Sequence, residues 1–222
     1  MLNDTFARII QIIPTMLLKS VMLSLVSYVY ILFYDHTRKT QYLVGKTFLD
    51  QKNHLAMCLG FNLFIFILCG LQNEQFINNI GPIVYLFCVI GDIDILICKI
   101  PTELLLVDFL IVLYSLASAT NIYLKIACIL INNLWFLFKD RLGISLYDIF
   151  LILIQSLLFQ DMRNFFYFDA FILILWGGCG VFLKAKNMKS SSGKPKDGDK
   201  EKARIPLAPV IITAFMLSQL IS

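Results

Sequence analysis

The chain has 222 residues, of which 59% are hydrophobic and only 15% are charged, and its mean hydropathy is +0.77. Soluble domains are about 45–50% apolar and about 25% charged, so this composition excludes an ordinary soluble globular protein. It also excludes intrinsic disorder over most of the length. The net charge is +4. In a chain this apolar, we interpret the excess of basic residues as a determinant of membrane orientation rather than as a nucleic-acid-binding surface. We therefore predict an all-α polytopic membrane protein with a single transmembrane domain over residues 1–222.

Apolar stretches recur along the whole chain as candidate membrane-spanning helices. A helix needs about 20 apolar residues to cross a bilayer, with a range of about 17–25. Several stretches are shorter, so we predict a bundle of six to eight transmembrane helices. The first stretch exceeds one straight span, and Lys19 is expected to mark its entry into the membrane. The stretches are 9–34, 55–71, 79–97, 103–118, 121–138, 144–159, 165–183 and 205–221.

Basic residues concentrate in alternate loops, which predicts the orientation of the chain. The loops at 35–54, around Lys99, at 139–141 and at 184–204 hold fifteen of the 19 Lys and Arg residues. By the positive-inside bias these loops are cytoplasmic and the N-terminus is outside. Segment 184–204 is low in complexity and lacks large apolar residues, so we predict a disordered basic cytoplasmic loop there. A contact with anionic membrane lipid is the alternative role for this segment.

Neither histidines nor cysteines form a pattern that predicts a metal site. The only histidines are His36 and His54, and no two of the six cysteines form a Cys-x-x-Cys pair. Zinc sites in proteins combine such ligands at short spacing. We therefore expect no metal and no other cofactor, and we expect the cysteines to be small buried hydrophobes.

Acidic residues at or inside apolar stretches are the most informative feature, because such placement costs about 2.5–3.5 kcal/mol on insertion scales. Asp35 ends the first stretch, and Asp92 and Asp94 interrupt the third one. All three map to the predicted cytoplasmic ends of their spans, so they can meet in space. Asp108, Asp148 and Asp169 lie inside other stretches, where packing or helix pairing is the simpler interpretation.

Two neighbouring aspartates offer the chemistry of an aspartic protease. Held close together they share one proton, because both cannot ionise cheaply. One then acts as a base toward water and the other as an acid toward the carbonyl oxygen of the substrate.

Asp35 is the first candidate for this pair of aspartates. Positions two apart on a helix point about 200° away from each other, so only one of Asp92 and Asp94 can face it. Asp94 leads into apolar ILIC, whereas Asp92 follows Gly91 and can cap a helix start or reach water. We therefore predict the pair Asp35 and Asp94, with Asp92 as the alternate.

These motifs resemble those of the type IV prepilin and preflagellin peptidase family. YDHTRK at 34–39 resembles its first aspartate motif, and GDID at 91–94 resembles its second motif at the start of a later helix. ARIPLAPVIITAF at 203–215 is similar to its terminal Pro-x-x-Pro helix. The sequence departs from the family at TQYL, where Ile-Pro-Asn or Ile-Pro-Asp usually follows the first aspartate.

The resemblance implies a compact, peptidase-only member of that family. It implies Asp35 and Asp94 as the catalytic residues, with Gly91, Pro206 and Pro209 supporting the motifs. Its activity would be removal of the basic leader from prepilin-like or preflagellin-like precursors near the cytoplasmic face of the cell membrane. The implied partners are this precursor and membrane lipid, whereas the oligomeric state is left open.

Two other interpretations stay open. Presenilin and signal peptide peptidase share YD, GxGD and a late proline motif, but their aspartates face the middle of the membrane. A transporter or lipid-binding protein would instead use its acidic residues to line a polar path, and pseudo-symmetric halves would distinguish it.

Overall fold

The computed structural model describes residues 2–38, 48–72, 74–98, 100–116, 122–142, 144–190 and 206–221. Within these ranges the protein is entirely helical and has no strand, which confirms the predicted all-α class. The helices are α1 (Leu2–Arg38), α2 (Phe48–Gly70), α3 (Glu74–Ile97), α4 (Thr102–Leu116), α5 (Ile122–Asn132), α6 (Leu134–Leu142), α7 (Leu146–Ser156), α8 (Met162–Ser190) and α9 (Ala208–Leu220).

Two stretches in the described part of the chain have the length and apolar composition needed to cross a membrane. They are Ile13–Thr37 in α1 and Asn53–Gly70 in α2. Shorter apolar helices follow at Ile122–Leu137, Leu146–Ser156 and Ala208–Leu220. An 11-residue helix such as α7 is about 16 Å long, roughly half the thickness of the hydrocarbon core.

Helix α1 is longer than the predicted 9–34 stretch and continues through Pro14. One side of it is buried at a spacing of three or four residues, which is the helical repeat that places side chains on one face. The opposite side carries large exposed apolar side chains from Ile13 to Phe33. The buried row consists of Met16, Ser20, Ser24, Ser27, Ile31 and Asp35.

The first three helices pack as an antiparallel hairpin of α1 and α2 followed by α3. Gly70 at the end of α2 lies against Met16 of α1, and Asn62, earlier in α2, contacts Ser24, later in α1. The two helices therefore run in opposite directions. The α2–α3 pair is also antiparallel, so α1 and α3 run in the same direction. Gly91 permits this packing, because a Cβ atom there would lie 2.7 Å from Cζ of Phe61.

Helix α9 lies at the centre of the second half of the bundle, against α8, α3, α2 and α7. Its Phe215 packs against three other phenylalanines, with ring centroids 5.6 Å away for Phe87, 5.4 Å for Phe159 and 6.4 Å for Phe168. Such edge and tilted aromatic contacts are favourable at these distances. The buried aromatic group thus fixes the position of α9 relative to α3.

Several boundaries differ from the sequence prediction for local reasons. A turn at Asn133 divides the predicted 121–138 stretch into α5 and α6. Asp148, predicted inside a stretch, completes a capping box with Ser145 at the start of α7. Its Oδ2 accepts a hydrogen bond of 2.9 Å from the Ser145 N–H, and Ser145 Oγ accepts one of 3.2 Å from the Asp148 N–H, so each residue satisfies the free N–H of the other. Helix α8 continues to Ser190 and includes the beginning of the predicted 184–204 loop. Residues 191–204 lie outside the described residues.

Candidate active site

Asp94 contacts the start of α9, the helix that carries the Pro-x-x-Pro motif. Its side chain is 3% exposed, and its Oδ2 accepts a hydrogen bond of 2.9 Å from the backbone N–H of Ala208. The first N–H groups of a helix have no partner within the helix. Because Leu207 at the N-cap provides no side-chain hydrogen bond, Asp94 serves as the cap from a different helix.

The prolines explain why α9 begins at this point. A proline is favoured in the first turn of a helix, because its missing N–H would have no partner there and its φ angle is already helical. Pro209 occupies this turn and Pro206 precedes it, and both are half-buried. The first N–H of α9 is therefore directed at Asp94, and the positive end of the helix dipole favours a carboxylate there. The structure thus brings together two motifs that are 114 residues apart in the sequence.

Asp92 points to a different set of neighbours. It is fully buried, and its Oδ2 accepts hydrogen bonds from Ser27 Oγ at 3.1 Å and from Asn62 Nδ2 at 2.8 Å. Asn62 Nδ2 also donates to Ser24 Oγ at 3.0 Å. The two aspartates thus face opposite sides of α3, as their spacing predicts.

Two expectations about this motif were wrong. GDID lies near the end of α3 rather than at the start of a helix, because α3 already begins at Glu74. Asp92 neither caps a helix nor reaches water, since Ser24, Ser27 and Asn62 enclose it between α1 and α2. Helix α3 ends just beyond the motif. Cys98 adopts a left-handed φ of 51°, a conformation that commonly terminates helices.

Asp35 lies in the last turn of α1 and is 8% exposed. Two contacts give the register of α1 against α3: Lys19 lies over the Tyr85 ring at 5.8 Å, and Ser27 bonds Asp92. The residue number on α3 exceeds that on α1 by 66 in the first pair and by 65 in the second. Asp35 is therefore level with Ile100 and Pro101, beyond the end of α3.

The same register separates the two predicted catalytic residues along the bundle. Asp94 is level with residue 28 or 29 of α1, so Asp35 lies six or seven residues, about 9–10 Å, further along the axis. A buried apolar cluster of Ile31, Cys58, Ile93, Ile95 and Leu96 joins α1, α2 and α3 in this region. A shared proton requires a closer approach of the two carboxyl groups than this axial offset alone provides.

The other acidic residues of the apolar stretches have separate surroundings. Asp169 accepts a hydrogen bond of 3.4 Å from the indole N–H of Trp135, so it pairs α8 with α6. Asp108 on α4 is fully buried, and neither of its oxygens has a hydrogen-bond partner among the described residues. No group of three His, Cys, Asp or Glu side chains suited to a metal ion occurs within the described ranges.

Sequence reasoning missed Ser24, Ser27 and Asn62, although one signal was available. Ser20, Ser24 and Ser27 follow the helical repeat within apolar α1, which places three hydroxyl groups on one face. Asn62 gives no comparable signal, because it is a single polar residue in an apolar stretch.

The chain matches no protein family, no curated protein and no solved structure in comparisons with known proteins.

Proposed function

We propose that the protein is a polytopic membrane aspartic endopeptidase that removes the leader of a prepilin-like or preflagellin-like precursor near the cytoplasmic membrane face. The single observation that carries the proposal is the contact of buried Asp94 with the first N–H of α9. It joins the second aspartate motif to the proline motif, two of the three features of the family resemblance.

The exposed surface of α1 supports placement in a membrane. Large apolar side chains line its outer face from Ile13 to Phe33. Exposed Lys19 lies within this stretch rather than at its entry, where the sequence predicted it. The distance from Ile13 to Phe33 is about 30 Å along a helix, which equals the thickness of the hydrocarbon core of a bilayer. Asp35 follows two residues after Phe33 and therefore lies at the membrane boundary, on the side that the basic loops assign to the cytoplasm.

The proposed chemistry uses the two carboxyl groups in different protonation states. The ionised group removes a proton from water, the water oxygen attacks the carbonyl carbon of the scissile peptide bond, and the protonated group donates to the carbonyl oxygen. Proton transfer to the leaving nitrogen then breaks the C–N bond. The N–H of Ala208 and the dipole of α9 favour the ionised form of Asp94, so Asp94 is the base and Asp35 the acid.

The axial offset of the two aspartates has a consequence for this proposal. The register of α1 against α3 places the last turn of α1 past the end of α3, and a tilt or bend of α1 toward α9 would close the axial offset between Asp35 and Asp94. We propose that a precursor bound between them draws the carboxyl groups together, since catalytic contacts often tighten only when the substrate is bound.

Co-expression with a candidate precursor tests the proposal. Wild-type protein should shorten the precursor on a gel, whereas Asp35→Asn and Asp94→Asn should not. Asp169→Asn is the matched control, because it also removes one acid from an apolar helix. Cleavage by either dyad variant at the wild-type rate would reject the mechanism.

A transporter or other ion-binding membrane protein is the second candidate function. The specific observation in its favour is Asp92, a fully buried acid that the peptidase chemistry does not use. Buried acidic residues inside membranes often mark ion pathways. Normal insertion of the chain together with a precursor that stays uncut in every test would favour this candidate.

A further inference from the structure

The polar cluster of Ser24, Ser27, Asn62 and Asp92 joins the first three helices through side chains that are buried from solvent. The exposed fraction is 1% for Ser24 and 0% for the other three. In the proposed membrane placement Ser27 lies six residues before Phe33, which puts the cluster about 9 Å inside the hydrocarbon core. A charge at that depth is costly unless an opposite charge accompanies it.

Burial opposes the ionised form of Asp92, whereas the hydrogen bonds of the cluster favour it. Its Oδ2 receives donors from Ser27 and Asn62, and hydrogen bonds donated to a carboxylate stabilise its charged form. No Lys, Arg or His is among the hydrogen-bonding partners given for Asp92 in the described chain. An ionised Asp92 would therefore take its compensating positive charge from a bound cation.

Two buried oxygens show where such an ion would bind. Asp92 Oδ1 and Asn62 Oδ1 both lack a hydrogen-bond partner among the described residues. A buried oxygen without a partner costs about 1–3 kcal/mol, and the Asn62 oxygen, like the Asp92 oxygen in its ionised form, can only accept. A cation bound between them would satisfy both at once, with the hydroxyl oxygens of Ser24 and Ser27 as further ligands.

We propose that Ser24, Ser27, Asn62 and Asp92 form a binding site for one sodium ion. Carboxylate, amide carbonyl and hydroxyl oxygens are the ligands of hard cations. One carboxylate balances one positive charge, whereas a divalent ion would leave a net charge inside the apolar bundle. Na⁺ is smaller than K⁺ and needs less room among four buried side chains. The site rests on the proposed membrane placement, and its test does not use the peptidase activity.

The test is ²²Na⁺ binding to the purified full chain in detergent micelles, together with thermal unfolding followed by tryptophan fluorescence. Choline chloride replaces NaCl so that ionic strength stays constant. Wild-type protein should bind about one ion, and its Tm should rise by about 3–6 °C at a sodium concentration ten times the Kd. Asp92→Asn should lose both effects, and Asp169→Asn should keep them.

Two further measurements keep the proposal open to refutation if Asp92→Asn does not fold. Ser24→Ala keeps three of the four side-chain ligands and should bind Na⁺ at least several-fold more weakly than wild type. Absence of ²²Na⁺ binding to folded wild-type protein would overturn the site. A Tm that responds to pH but not to Na⁺ would also overturn it, because Asp92 would then carry a proton. Precursor cleavage is scored separately, so failure here leaves the peptidase proposal standing.

Discussion

Asp94 has two roles in the proposed enzyme, capping α9 and accepting a proton from water, and substitutions can separate them. Asparagine at position 94 keeps an oxygen that accepts the hydrogen bond of Ala208 but removes the negative charge. Alanine removes the acceptor as well. The two variants therefore differ mainly in stability if Asp94 is only a cap, and both lose activity if it is catalytic.

The expected magnitudes follow from the 2.9 Å hydrogen bond and the burial of Asp94. A charge at a helix N-terminus contributes about 0.3–1 kcal/mol, so Asp94→Asn should lower the free energy of unfolding by that amount. Asp94→Ala leaves the buried N–H of Ala208 without this acceptor and should cost about 1–3 kcal/mol. General acid–base catalysis contributes about 10²–10⁴ in rate, so Asp94→Asn should cleave at least about 100-fold more slowly.

The assay combines gel-based cleavage of a co-expressed precursor with the unfolding midpoint of the purified variants. Asp92→Asn is the matched control, since it changes an acid two residues away on the opposite side of α3 and should keep substantial cleavage. An Asp94→Asn variant that cleaves at the wild-type rate would reduce Asp94 to a structural cap. The reverse pattern, with only Asp92→Asn inactive, would transfer the catalytic role to Asp92.

Four other outcomes are expected. Asp35→Asn should abolish cleavage and leave membrane insertion intact, which protease protection of the inserted chain checks. Treatment with EDTA should not reduce cleavage, and activity restored by added zinc would contradict the proposed mechanism. Gly91→Ala should lower the free energy of unfolding by about 1–3 kcal/mol, because its Cβ would press on the Phe61 ring in a packed interface; Phe61→Leu in the same chain should recover part of the loss. Ser145→Ala should lower the free energy of unfolding by about 0.5–2 kcal/mol by removing the capping box with Asp148, whereas an unchanged unfolding midpoint would show that this cap contributes nothing.

The sequence predicts the helical class well, because composition and apolar stretches depend only on local residues. It predicts helix ends less well. The division at Asn133 and the extension of α8 to Ser190 depend on backbone geometry and neighbouring helices, which an apolar stretch does not report. Helix α3 likewise begins at Glu74, before the apolar residues that predicted it.

The candidate site shows the same division between local and long-range information. The structure brings Asp94 and the Pro206–Pro209 turn together, a contact that the order of the motifs alone did not predict. The partners of Asp92 were likewise unpredictable, since Ser27 and Asn62 lie 65 and 30 residues away. Their meeting depends on the packing of three helices, and single polar residues in apolar stretches do not specify which helix they face.

The Ser27–Asp92 hydrogen bond also determines how far Asp35 lies from Asp94. It fixes one level of α1 against α3, and Asp35 follows eight residues, about 12 Å, beyond that level. A change confined to the polar cluster can therefore alter the approach of Asp35 without touching either catalytic carboxyl group. Ser27→Ala separates these effects, because it removes the hydrogen bond to Asp92 and keeps both carboxyl groups of the dyad. Slower cleavage by this variant in folded protein would show that the cluster sets the catalytic spacing, whereas unchanged cleavage with weakened sodium binding would show that the two sites act independently.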